Sequence, residues 1–167
     1  MAQDSARARG FFGIGAESIS KPMNMGALMR TAHAFGASFV FSVSAAQKVR
    51  DVYRADTSRT FEHVPYYEWP SVDEMNLPKG CTLIGIELID EAVELPSFRH
   101  PQSAAYILGR EKGSLSPAML ARCSHVVQIP TKFCVNVGLA GAIVMYDRLI
   151  STRSYPPRPI MPGGPKG

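Results

Sequence analysis

Short apolar runs alternate along the chain with segments whose apolar residues recur every three or four positions, the pattern of strands and helices laid one after another. Residues 11–15 (FFGIG) are apolar and end in glycine, which predicts a buried strand leaving its sheet at a tight turn. In the next segment Met25, Leu28, Met29, Ala32 and Phe35 fall on one helical face, with Asn24 as the expected cap and Gly36 as a stop. Residues 38–43 (SFVFSV), 82–88 (TLIGIEL) and 104–108 (AAYIL) read as strands. The stretch 50–78 is mixed and polar; a short helix around 49–54 and an edge strand near 64–67, broken by Pro65 and Pro70, are expected there. Ser116-Pro117 opens a helix, serine capping and proline taking the first helical position. Residues 125–129 form another strand, and 136–150 (NVGLAGAIVMYDRLI) a long apolar helix whose Gly138, Gly141 and Ala142 permit close approach by a neighbour. This alternation implies an α/β domain, a largely parallel sheet flanked by helices.

A length of 167 residues suits one compact domain, and with 46% hydrophobic and 19% charged residues a packed core is expected over most of it. The expected division is a basic tail over 1–10, containing Arg7 and Arg9, a domain over 11–152, and a flexible Pro/Gly-rich tail over 153–167. A net charge of +4 and a pI near 9.1 favour phosphate-rich partners without requiring them. Cys81, Cys123 and Cys134 are odd in number and form no C-x-x-C pair, which argues against a disulfide framework or zinc ribbon and fits a reducing cytoplasm. His33, His63, His100 and His125 lack metal-ligand spacing, so no metal is expected. No apolar run approaches membrane-spanning length, and Gly13-Ile14-Gly15 lacks the third glycine of a dinucleotide fingerprint and reads as a turn.

Three segments carry candidate chemistry. In NMGALMR, Arg30 lies one turn beyond Gly26, whose missing side chain leaves room for a guanidinium to bind phosphate; alone, the segment also reads as an ordinary amphipathic helix with a solvated arginine. In YILGREKG a strand runs into a glycine-flanked charged turn, which puts Gly109 and Glu111 beyond a strand's carboxyl end, where α/β proteins gather ligands; a plain strand-to-helix loop is the alternative. In the third, Pro130 restrains Ile129 toward extended geometry, and Val135 and Asn136 open the last helix, where Asn136 could be no more than its cap.

In order and content, NMGALMRTAHAFGA, YILGREKGSLSP and IPTKFCVNVGLAGAIVMYD resemble the three motifs of the SpoU/TrmH branch of the SPOUT RNA 2'-O-ribose methyltransferases, the match spanning residues 14–147. The resemblance implies a deep C-terminal trefoil knot, which general folding rules would not suggest. It also implies S-adenosylmethionine as methyl donor, a homodimer with the site near its interface, and RNA as substrate, transfer RNA ahead of ribosomal RNA. Carried over position by position, it puts Gly109, Ile129 and Val135 on the donor. It puts Arg30 at the reacting ribose and gives Asn24, Glu111 and Asn136 the task of holding the site together. Two departures stand out: the segment 130–136 is short, and Cys134 and Gly138 replace serines common in the family, so Cys134 is expected to line the pocket or else to be a buried packing residue.

Arg50, Arg54 and Arg59 are candidates for tracking an RNA backbone, and Trp69 with Tyr66 and Tyr67 for stacking on bases; a solvated charged face and simple packing are the competing readings. A catalytically silent RNA-binding module that keeps the knot, and a nucleotide-binding α/β protein without methyl transfer, are the alternative functions.

Overall fold

The computed structural model describes residues 10–55, 63–111 and 113–153, with nothing said of the side chains of residues 52–55. In chain order the elements are β1 (Phe12–Glu17), α1 (Pro22–Ala34), β2 (Phe39–Val43), α2 (Gln47–Ala55), β3 (Tyr66–Trp69), β4 (Thr82–Ile86), β5 (Val93–Glu94), β6 (Ala104–Leu108), α3 (Pro117–Arg122), β7 (His125–Gln128) and α4 (Val137–Thr152). All strand pairings are parallel and build one sheet in the order β3-β2-β1-β6-β4-β7-β5. Ile14 pairs with both Val40 and Tyr106, and Ile84 with both Tyr106 and His125, so the centre of the sheet is in register across five strands.

The central strands β1, β2, β4 and β6 are largely apolar because both faces of the sheet are covered. Phe12, Ile14, Ala16, Val40, Ile84, Ile86, Tyr106 and Leu108 face one way, into a core completed by Met25, Leu28, Met29 and Ala32 of α1 and Val137, Ala140, Val144 and Met145 of α4. Their neighbours Phe39, Phe41, Leu83, Ala105 and Ile107 face the other way, against Leu115 and Met119. The alternation has period two, as a strand requires. Burying a side chain such as Leu28 or Met25 stabilises the fold by roughly 1.5–3 kcal/mol. The sheet therefore sets where α1 and α4 lie, and they pack side by side on it.

Several expectations change. The first strand does not end at Gly15 but continues to Glu17, and Gly13 and Gly15 serve no turn. A Cβ on either would collide with Phe39 or Phe41 of the adjacent strand, so these glycines make room for aromatic rings. Helix α1 starts at Pro22 with Lys21 at the cap position, which moves Asn24 from the expected cap into the first turn, where it is buried. The strand at 82–88 stops at Ile86, freeing Glu87. The edge strand lies at Tyr66–Trp69, after Pro65, and the helix expected around 49–54 extends over Gln47–Ala55. The short strand Val93–Glu94 and the 3-10 turn Leu95–Ser97 had no counterpart in the periodicity. Among the described residues no helix is long and apolar enough to cross a membrane, and no group of three or more His, Cys, Asp or Glu side chains is placed to hold a metal ion.

Candidate active site

The C-terminal ends of β1, β4, β6 and β7 lie along one edge of the sheet, where parallel topology places ligand sites. Three carboxylates there bind segments distant in sequence. Glu111 joins the loop after β6 to the entry of α1: its Oε1 accepts from the Lys21 backbone N–H (2.9 Å) and the Asn24 amide (3.0 Å), and its Oε2 accepts from the Ser20 hydroxyl (3.0 Å). Asn24 in turn accepts from the amide of Asn136 at 3.2 Å, and Asn136 Oδ1 caps α4 by accepting from the Gly138 N–H at 2.8 Å. Residues 24, 111 and 136 thus form one hydrogen-bonded chain holding α1, the loop after β6 and the start of α4. Partial burial pushes the Glu111 carboxyl up, but its own backbone N–H, the Asn24 amide, the Lys21 N–H and the Ser20 hydroxyl outweigh that and hold it below the usual carboxylate range.

Sequence reasoning missed the other two carboxylates. Buried Glu17, at the end of β1, accepts from the Ser116 N–H (2.8 Å) and hydroxyl (2.5 Å), and Ser116 then caps α3. Buried Glu87 accepts from the Leu115 N–H (2.7 Å) through Oε2 and from its neighbour Leu88 through Oε1 (3.1 Å). With Glu111 they pin both ends of the loop that follows β6. The available signal was an acidic residue at the carboxyl end of a strand.

Beside this chain lies a hollow that encloses about 70 Å³ and reaches about 500 Å³ with the open space at its mouth. Nucleoside and drug-sized sites run to roughly 300–1,000 Å³, so a ligand of that size would stand partly across the mouth. All four residues expected on the donor line it: Gly109, Ile129, Val135 and Cys134. Gly109 is closely packed: a Cβ there would press on the Leu115 nitrogen at 3.3 Å and touch Glu87 Oε2 at 3.5 Å. Cys134 is exposed at the hollow rather than buried in packing, whereas burial pushes the Cys81 and Cys123 thiols up to about 11.

Arg30 does not line the hollow and, unlike Asn24, Glu111 and Asn136, is not part of the hydrogen-bonded chain beside it. It is exposed on α1, on the stripe that includes exposed Met23 and Ala27. Alongside, α4 exposes Leu139 (62%), Ile143 (40%) and Tyr146 (52%) at helical spacing, and Met23 is 84% exposed. Arg50 stands 4.0 Å from Glu68, so part of its charge is already answered. Arg59 and the side chain of Arg54 lie outside the described residues, as do the tails 1–9 and 154–167. Tyr66 points its hydroxyl at Ser42 (2.7 Å), while Tyr67 and Trp69 stack on each other with Tyr67 half exposed.

A second polar cluster lies within the fold. Buried Arg148 donates to the carbonyls of Pro101 (2.7 Å) and Gln102 (2.8 Å) and to the Tyr106 hydroxyl (3.1 Å). The Tyr106 hydroxyl donates to His100 Nδ1 (2.6 Å), and His100 Nε2 donates to Asp147 (2.8 Å). Burial lowers the His100 pKa despite Asp147, so the short contact is read as a hydrogen bond from a neutral imidazole rather than an ion pair.

The profile of the SpoU rRNA Methylase family matches residues 12–146. The chain is 28% identical over 148 residues to the mouse tRNA (guanosine(18)-2'-O)-methyltransferase TARBP1, covering 79% of this chain and 9% of that protein. It is 26% identical over 136 residues to the tRNA (guanosine(18)-2'-O)-methyltransferase of Escherichia coli K12, covering 78% of this chain and 59% of that enzyme. The chain therefore spans less than two thirds of these relatives. Among solved structures, the AdoMet-bound rRNA methyltransferase from Sinorhizobium meliloti superposes with a TM-score of 0.73 at 18% identity, over 87% of this chain and 58% of that one.

Proposed function

Because the chain belongs to the SpoU rRNA Methylase family, we propose that it is an RNA 2'-O-ribose methyltransferase using S-adenosylmethionine, with transfer RNA as the preferred substrate over ribosomal RNA. The observation that carries this reading is the Asn24–Glu111–Asn136 chain. Three residues from segments 87 and 112 positions apart are joined by side-chain hydrogen bonds, next to a hollow lined by Gly109, Ile129, Cys134 and Val135. The tRNA preference follows the relatives, whose names specify tRNA guanosine methylation.

The hollow fits the donor chemically: its walls are largely apolar, its glycine leaves the main chain open, and charged groups stand at Glu87 and Arg110. Gly109, Ile129 and Val135 would hold the donor through main-chain and apolar contacts, with Cys134 beside it. When bound, the donor supplies an electrophilic methyl group on a sulfonium. The chain's own work is alignment of the ribose hydroxyl with that methyl, which can supply several kcal/mol, and help in removing the hydroxyl proton. Glu111, Asn24 and Asn136 keep α1, the loop after β6 and α4 at fixed separations. Arg30 orients the ribose or its phosphate and lowers the cost of charge developing on the 2'-oxygen; a guanidinium is ordinarily cationic, which suits orientation better than proton abstraction.

Two structural readings accompany this proposal. The apolar stripe of Leu139, Ile143 and Tyr146, together with Met23, is the face of a homodimer, and Arg30 on the same face is delivered to the partner's hollow. The C-terminal half is knotted. In support, the chain leaves β7 toward one end of the sheet and returns to lay α4 on α1, with α4 also packed on Leu95–Ser97 and bonded to the carbonyls at 101 and 102 in the β4–β6 connection.

The test is transfer of labelled methyl from S-adenosylmethionine to tRNA and rRNA, with calorimetry of donor binding alongside. Arg30→Ala is expected to abolish transfer and keep donor affinity. Unchanged turnover removes the role of Arg30; donor binding without transfer to any RNA supports the silent binding module instead.

A further inference from the structure

Among the described residues, Glu87 and Arg110 are the charged ones lining the hollow. They differ in how far their charge is already used. Both oxygens of buried Glu87 accept main-chain N–H groups, from Leu115 and Leu88. Arg110 is exposed and makes no hydrogen bond or ion pair with any described residue. Its guanidinium is nevertheless seated: it lies against Gly113, whose φ is +134°, and a Cβ at that position would collide with Arg110 Nε. Gly113 is required for a backbone conformation side chains rarely adopt, and the guanidinium occupies the space beside it. The loop itself is anchored on both sides, by Glu111 at the entry of α1 and by Glu87 and Glu17 at Leu115 and Ser116. A cation with no hydrogen-bond or ion-pair partner among the described residues, at the mouth of a largely apolar hollow, is matched by a ligand with an apolar body and an anionic end.

We propose that Arg110 binds the α-carboxylate at the methionine end of the methyl donor and so makes the hollow selective for the intact amino-acid-bearing donor. This rests on the methyltransferase reading above. The planar guanidinium can engage a carboxylate through two parallel N–H···O bonds, which an ammonium cannot reproduce. Among the described residues lining the hollow, no other supplies a positive charge.

The experiment is calorimetry with S-adenosylmethionine and with decarboxylated S-adenosylmethionine, which lacks only the carboxylate, on wild type, Arg110→Ala and Arg110→Lys. Wild type is expected to prefer the carboxylate-bearing compound by about tenfold or more, the range of a charge-assisted hydrogen-bonded pair. Arg110→Ala is expected to erase that preference by weakening S-adenosylmethionine alone, with Arg110→Lys recovering part of it. The proposal is overturned if Arg110→Ala weakens both compounds equally, as a collapsed loop would, or weakens neither. It is likewise overturned if Arg110→Ala leaves donor affinity intact and weakens only RNA binding, which would make Arg110 a phosphate contact. Wild-type protein that binds neither compound would overturn the methyltransferase reading, and this one with it.

Discussion

Replacing Glu111 with glutamine tests whether the loop after β6 is held by charge or only by shape. Three well-formed bonds converge on this carboxylate, from the Lys21 N–H, the Asn24 amide and the Ser20 hydroxyl, and the Ser20 N–H reaches both oxygens at 3.3 Å. Of these partners the Ser20 hydroxyl could turn to accept, whereas the Asn24 amide could do so only by giving up its oxygen's bond with Asn136. Glutamine offers one acceptor oxygen and sets an NH2 where the second oxygen stood, so the Ser20 N–H keeps at most one of its two contacts and the charge assistance vanishes. Hydrogen bonds to charged groups contribute about 1.5–3 kcal/mol, and because the site is partly exposed, water recovers some of this; a net loss of about 1–2 kcal/mol is expected. For a chain of this size that lowers the melting temperature by about 3–6 °C near neutral pH. The pH dependence has a definite sign. With the folded carboxyl held below its ordinary 4.5, its contribution is complete above that value and is lost as pH falls through the folded value, so wild type and Glu111→Gln converge in acid. Thermal melts followed by circular dichroism across this range, with donor calorimetry at neutral pH, provide the readout. A variant melting within about 1 °C of wild type near neutral pH would refute the view that this carboxylate ties the loop to α1.

Arg148→Met keeps much of the packing against Phe12 and Tyr106 but strips the donors from the carbonyls at 101 and 102; a loss of about 3 kcal/mol in chemical denaturation is expected, and a change within about 0.5 kcal/mol would contradict the network. Because burial holds the folded His100 pKa below 6.5, the unfolded chain takes up the proton first. Stability is therefore expected to fall as pH drops from about 7.5 toward 5.5, and His100→Gln, which can still bond Tyr106 and Asp147, should flatten that slope; an unchanged slope counts against it. Mixing Arg30→Ala with Gly109→Val protomers tests delivery of the arginine across the dimer. Random reassociation gives one complete site in the heterodimers and about a quarter of wild-type activity, whereas an arginine serving its own subunit gives none.

The local chemistry that a sequence writes down was legible. Ser116-Pro117 opens α3 with the serine accepting from Met119, Asn136 caps α4, and Gly36 with φ +75° closes α1. The clustering of Gly109, Ile129, Cys134 and Val135 around one hollow was legible through motif order. What failed had long-range causes. Asn24 reads as a cap, yet Pro22 fixes an earlier helix start and the Asn24 amide is claimed by a carboxylate 87 positions away. Gly13 and Gly15 read as a turn because nothing nearby reveals the rings of Phe39 and Phe41 that need their space. Glu17 and Glu87 meet mainly the main chain and hydroxyl of residues 115 and 116, partners that carry no side-chain signature. Alternation of strands and helices predicted a parallel sheet, but the insertion of β6 between β1 and β4 is decided by packing, not by order along the chain.

The account turns on which atom receives the methyl group. RNA incubated with the protein and isotopically labelled S-adenosylmethionine, then digested to nucleosides and resolved by mass spectrometry, answers that directly. The predicted product carries the label on the ribose 2'-oxygen, and Arg30→Ala yields none of it; label on a base, or no labelled nucleoside from protein that binds the donor, would contradict the assignment.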